Sequence, residues 1–86
     1  MDKTLYSREQ EQLSALLRQA RSEKGLRQED LARLIGRRQS FISDIESGQR
    51  RIDIVELRHL CRHLGLSLPE FIARWEDRLQ EAGPAE

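Results

Sequence analysis

The sequence predicts an all-α fold, one compact domain of five helices. Three observations carry this expectation. Apolar residues recur at helical spacing in successive runs, single glycines fall between the runs, and no stretch alternates with the period of a strand. With 86 residues, two prolines and five glycines, the chain has length for one domain and too few turn formers for a many-stranded sheet.

Ser7 with Gln10 has the spacing of a capping box and is expected to open the first helix, leaving residues 1–6 as an N-terminal extension. Leu13, Leu16, Leu17 and Ala20 follow at i, i+3, i+4 and i+7, one face of a helix. Arg21 and Lys24 fall in its last turn, where cations suit the dipole, and Gly25 fits the left-handed position just past the end. The second helix runs from about Gln28 to Ile35. Glu29 and Asp30 favour its first turn, and Leu31, Leu34 and Ile35 form its buried side. Gly36 turns the chain. The third helix spans about Gln39 to Ser47 with Ile42 and Ile45 inward, and Gly48 stops it. After a loop at 49–52, Asp53 with Glu56 forms another capping box, and Ile54, Leu57, Leu60, Cys61 and Leu64 mark a fourth helix ended by Gly65. Ser67 with Glu70 opens a fifth, with apolar positions Leu68, Phe71, Ile72, Trp75 and Leu79. The domain is expected to span 7–81, with 82–86 a disordered tail.

Composition narrows the function. No apolar run approaches the roughly 18–20 residues of a membrane helix, and the N-terminus has no apolar signal core, so a cytoplasmic protein is expected. A lone cysteine, Cys61, makes neither an internal disulfide nor a metal site. His59 and His63 stand at i, i+4 without a third ligand and read as helix-surface residues; no metal or other cofactor is expected. No nucleophile–base pair or phosphate loop is present, so the chain does not read as an enzyme. Its 15 basic and 15 acidic residues cancel, but unevenly: residues 25–51 carry six Arg against four acids, and residues 52–86 carry four Arg against seven acids. The central excess includes the pairs Arg37–Arg38 and Arg50–Arg51, separated by one short helix.

The second and third helices are too short to be stable alone, because isolated helices below about 12–15 residues are marginal in water. Their neighbours must clamp them. A short–turn–short pair inside an all-helical domain is the helix-turn-helix layout, here at about 28–47. The third helix presents Gln39, Ser40, Ser43 and Asp44 opposite Ile42 and Ile45. Gln bonds adenine in both directions, Ser accepts or donates, and Asp takes the amino group of cytosine. The flanking arginine pairs lie where phosphates pass.

The run from Leu13 to Ile72 resembles the lambda repressor/Cro-like (Xre) family of helix-turn-helix domains. The resemblance rests on Lys24-Gly25-Leu26-x-Gln28-x-x-Leu31-Ala32, then Gly36, then Ile42-Ser43-x-Ile45-Glu46-x-Gly48, then Leu64-Gly65-Leu66-Ser67, in order and without gaps. It implies a compact five-helix lambda repressor-like bundle that binds double-stranded DNA. It puts Gln39, Ser40 and Asp44 on base-reading positions, and Gln28, Ser43 and Arg50 on positions that touch the backbone. Arg37, Arg38 and Arg51 are expected to join them at phosphates, and Glu46 is expected to brace the domain. Arg27 and Arg38 stand where the family usually has caps for the second and third helices. Asp44 stands where Lys, Arg or Gln is commoner, so it must accept a base proton or pair with Arg37 or Arg51.

Phe41 either packs on the domain edge or touches a thymine methyl. Trp75 and Leu79 extend the fifth stripe, either completing the monomer or forming a two-fold interface; the expectation is the interface. The function expected is a small homodimeric transcriptional regulator on a near-palindromic operator, as repressor, restriction–modification controller or antitoxin. The alternative, from a different class, is a degenerate helix-turn-helix whose acidic last third docks a protein partner; the zero net charge and Asp44 support it.

Overall fold

Helix boundaries in this protein are set by residues three to five apart. The computed structural model describes the backbone of residues 3–81 and the side chains from Arg8 onward. Along it lie α1 (Lys3–Glu23), α2 (Gln28–Leu34), α3 (Gln39–Glu46), α4 (Ile54–His63) and α5 (Leu68–Glu81), with no strand among the described residues. This is the all-α, five-helix arrangement that the apolar spacing predicts. The expected tail, 82–86, lies outside the described residues.

Two starts match their sequence signatures in detail. Asp53 accepts from Glu56 N–H at 2.8 Å while Glu56 Oε1 accepts from Asp53 N–H at 3.1 Å. Ser67 and Glu70 make the same reciprocal pair at 3.2 and 2.9 Å. The Glu70 carboxyl is held below its ordinary value of 4.5, first by the backbone N–H of Ser67 and then by its hydroxyl. Helix α1 begins earlier than Ser7 suggests: it starts at Lys3, and Ser7 lies inside it. A helix continues past a potential cap when the preceding residues also take helical dihedrals, and Lys3–Tyr6 do.

Helices α1 to α4 all stop the same way. Leu26, Arg37, Gln49 and Leu66 each return an N–H to the carbonyl five residues back, at 3.2, 2.9, 2.8 and 3.0 Å, closing over a glycine. The turn at Gly36 needs φ +72°, which costs a residue with a Cβ roughly 1–2 kcal/mol. It fixes the angle at which α3 leaves α2.

The core gathers Leu16, Leu17 and Ala20 of α1, Leu31 and Ala32 of α2, Phe41, Ile42 and Ile45 of α3, Leu57, Leu60 and Cys61 of α4, and Phe71 of α5. Burial pushes the Cys61 thiol up to about 11, so it behaves as a small apolar residue. Two expected core positions are exposed. Leu34 is 51% exposed. The inward stripe of α2 is 28, 31, 32 and 35, and position 34 falls beside it. Ile54 is 58% exposed and its neighbour Val55 is 65% exposed. Ile54 shares the stripe of Leu57 and Cys61, but one turn earlier, where no other element among the described residues covers it.

Candidate nucleic-acid interface

Helix α3 is held from behind and bare in front. Phe41, Ile42 and Ile45 are buried, and the buried hydroxyl of Ser14 on α1 donates to Ile45 O at 2.7 Å, anchoring the last turn. With that side fixed, Gln39, Ser40 and Asp44 are exposed and Ser43 is half-buried on the outer surface. The sequence-predicted base-facing residues therefore share one face.

One flank of that face is a polar chain that runs from a nearly buried ion pair out to the surface. Glu46 takes Arg21 through both oxygens, Oε2 from Nε at 2.6 Å and Oε1 from Nη2 at 3.0 Å, and Arg21 Nη1 donates to Leu26 O at 2.8 Å. The two side chains are only 12% and 5% exposed. Gln28 Nε2 donates to Glu46 Oε1 at 2.9 Å, and Gln39 Nε2 donates to Gln28 Oε1 at 3.1 Å. A rigid acid thus orients Gln28, and Gln28 orients Gln39.

The other flank is cationic. The guanidiniums of Arg37 and Arg50 lie over the Phe41 ring, 4.2 and 4.7 Å from its centroid. Both donate to Glu56 Oε2, at 3.3 and 2.8 Å. Arg37 precedes α3 and Arg50 follows it, yet the fold brings them to one side of the helix. Phe41 is the floor beneath them, which is the domain-edge alternative for that residue.

The remaining expected residues are placed as follows. Arg38 is the N-cap of α3; it is exposed and makes no side-chain cap bond, since a guanidinium has no acceptor. Arg51 is exposed. Arg27, at the α2 cap, pairs with Glu29 at 3.0 Å. Asp30 Oδ2 reaches back to Arg27 N–H at 2.9 Å and Nε at 3.3 Å. These two donors, the backbone one first, hold the Asp30 carboxyl below its ordinary 3.8. The Asp44 carboxylate makes no ion pair with Arg37, which goes to Glu56 instead.

Trp75 and Leu79 lie in the seam between α5 and α1. The indole N–H of Trp75 donates to Glu9 O at 3.1 Å and its ring packs on the core, while Leu79 O accepts from Arg8 Nη2 at 3.2 Å. Both side chains are half-buried within the monomer, because α1 covers the stripe from its own chain. Among the described residues, the large apolar side chains left exposed are Leu34, Ile54 and Val55.

A sequence profile of the helix-turn-helix domain matches residues 12–74. The chain belongs to the helix-turn-helix family, and within it to the XRE type. Among solved structures, an XRE-family like protein from Pseudomonas syringae pv. tomato is 36% identical, with 88% of this chain and 93% of that one covered and a TM-score of 0.80. The wild-type restriction–modification controller protein C.Esp1396I is 27% identical, covering 85% and 95%, with a TM-score of 0.78. The clp gene regulator ClgR from Corynebacterium glutamicum is 28% identical, covering 86% and 81%, with a TM-score of 0.76. No curated protein matches the sequence. Family and fold are those of DNA-binding transcription regulators rather than enzymes. Among the described residues no helix is long and apolar enough to cross a membrane.

Sequence reasoning missed the second role of Glu56 and the sharing of Phe41 on this helix-turn-helix surface. Glu56 reads locally as a capping residue, and its second carboxylate oxygen carries no sequence signal. Phe41 reads as an edge aromatic, and nothing linear shows that two arginines 13 residues apart share it.

Proposed function

We propose that the chain is a homodimeric transcriptional regulator acting in the cytoplasm on double-stranded DNA, with α3 in the major groove. Gln39, Ser40 and Asp44 read base edges, and Gln28, Arg37, Arg38, Ser43, Arg50 and Arg51 hold the backbone. The observation that carries this reading is the exposed polar face of α3 with arginines gathered beside it at both ends. Gln39 supports it further. Its orientation by Gln28 leaves an amide hydrogen and the oxygen for the two-bond pattern that suits adenine.

Two copies would read half-sites about one helical turn apart, roughly 34 Å, on a near-palindromic operator. Ile54 and Val55 are the better seat for the second copy. Both are exposed, and Val55 adjoins the arginine flank of α3 through the groove it shares with Arg37 and Phe41. Trp75 and Leu79, used inside the monomer, have less apolar surface to offer. The likeness to a restriction–modification controller favours control of a small operon of that kind.

Selection of binding sites from random duplexes with the purified chain tests affinity, symmetry and half-site spacing together. A symmetric site is expected. Log K should fall with log salt at a slope steeper than −2, since each neutralised phosphate contributes about −0.9; a shallower slope would overturn the reading.

A further inference from the structure

We propose that Glu56 is an internal stand-in for a DNA phosphate, holding Arg37 and Arg50 as a preformed clamp that the DNA backbone takes over. The proposal rests on the DNA-binding reading and adds to it a positioning residue that contacts no DNA.

The geometry has four parts. A single carboxylate oxygen, Glu56 Oε2, receives both guanidiniums. Both guanidiniums also lie against the Phe41 ring, so their rotamers are restricted before any ligand arrives. The cluster is short of acceptors: two cations share one carboxylate oxygen, and Arg50 Nε is buried with no hydrogen-bond partner among the described residues. The acid is also the more recessed partner, with its side chain 18% exposed against 47% for Arg37 and 41% for Arg50. The cations therefore stand nearer solvent than the group that neutralises them.

A phosphate offers what the cluster lacks. It brings a negative charge and two free oxygens to guanidinium forks whose geometry suits them. On contact the arginines turn from Glu56 to the strand while staying on the ring. Glu56 stays behind as a carboxylate next to the bound phosphate, so it opposes binding. Its net effect is to hold the cations in place in the free domain and to lower affinity for any duplex. The other oxygen, Oε1, continues to accept from Asp53 N–H, so the start of α4 does not depend on the exchange.

The test is Glu56→Gln. Glutamine keeps the capping bond, since Glu and Gln serve equally at that position, and removes the charge. Binding is measured on random-sequence duplex DNA as a function of salt, with thermal melting in parallel. The variant is expected to bind about two- to fivefold tighter, the scale of one exposed ion pair. Its slope of log K on log salt should steepen by up to about 0.9, one more phosphate charge neutralised. Adding Glu56→Gln to an Arg37→Gln, Arg50→Gln background should have a clearly smaller effect on both quantities, because the cations it restrains are gone and only the repulsion between carboxylate and phosphate is relieved. A purely structural role for Glu56 would move the melt and leave the slope alone. Unchanged or weaker binding by Glu56→Gln, with the parent chain still binding DNA, overturns this proposal only. Failure of the parent chain itself to bind duplex DNA overturns the DNA-binding reading and this proposal with it.

Discussion

The two flanks of α3 each pair a carboxylate with arginine, and they differ in burial. On one side Arg21 and Glu46 are 12% and 5% exposed and lock together through two hydrogen bonds, with Gln28 as a third partner. On the other side Glu56 is shared by Arg37 and Arg50, whose side chains are 47% and 41% exposed. An ion pair out of water costs too much to separate, so it serves as a fixed brace. An ion pair at the surface is worth little and exchanges partners readily, so it serves where a cation must be both held and released. The same chemistry thus anchors the helix on one flank and leaves it a movable grip on the other.

The comparison is tested most severely by Glu46→Ala. It strands Arg21 in the interior and removes the support of Gln28, and it should cost about 3–5 kcal/mol in denaturant unfolding. For a domain of this size that is a fall in Tm well above 10 °C. A loss below about 1 kcal/mol would mean the brace is no stronger than a surface pair, and the distinction between the flanks would fail.

A second contrast sets α5 against the start of α4. Trp75→Ala removes half-buried ring packing and the bond to Glu9 O, and it should lower monomer stability by about 2–3 kcal/mol, less than a fully buried Trp would. Val55→Asp puts a charge on an exposed side chain and should leave the melt within about 0.5 kcal/mol at concentrations where the parent chain is itself monomeric. In sedimentation the expected order reverses. Val55→Asp yields monomers at concentrations where the parent chain dimerises, and Trp75→Ala still self-associates. Dimers formed normally by Val55→Asp would move the two-fold contact elsewhere.

The smallest effect is expected in acid. Asp30 and Glu70 have lowered pKa values because backbone N–H groups at Arg27 and Ser67 donate to the charged carboxylates. A carboxyl with a lower pKa folded than unfolded contributes stability above its unfolded value, and that contribution disappears as pH falls through the folded one. Stability from the starts of α2 and α5 should therefore be intact above about pH 5 and decline below the ordinary values of 3.8 and 4.5. Carboxyl carbon shifts followed by NMR titration check it. Midpoints at or above 3.8 for Asp30 and 4.5 for Glu70 would show that neither cap holds its carboxylate in solution.

Legibility in the sequence followed the range of the interactions. Asp53 with Glu56 and Ser67 with Glu70 announced two helix starts, because a capping box closes over three residues. Gly25, Gly36, Gly48 and Gly65 announced four ends, because the bond that closes each one spans five residues. The outward set Gln39, Ser40 and Asp44 followed from the burial of Ile42 and Ile45 and the period of the helix. Ser7 misled because a capping signal says where a helix is able to start, and not whether one is already under way. Leu34 and Ile54 misled because an apolar residue is buried only when another element reaches it.

By itself, then, the sequence determined the elements, their order and the polar face of α3, all of which depend on neighbours a few residues away. Tertiary structure alone decided that Glu46 meets Gln28 across 18 residues, that Glu56 meets Arg37 across 19, and that Trp75 turns to Glu9 across 66. Those contacts depend on the angles at which the helices pack, and packing angles arise from the shape of the whole core.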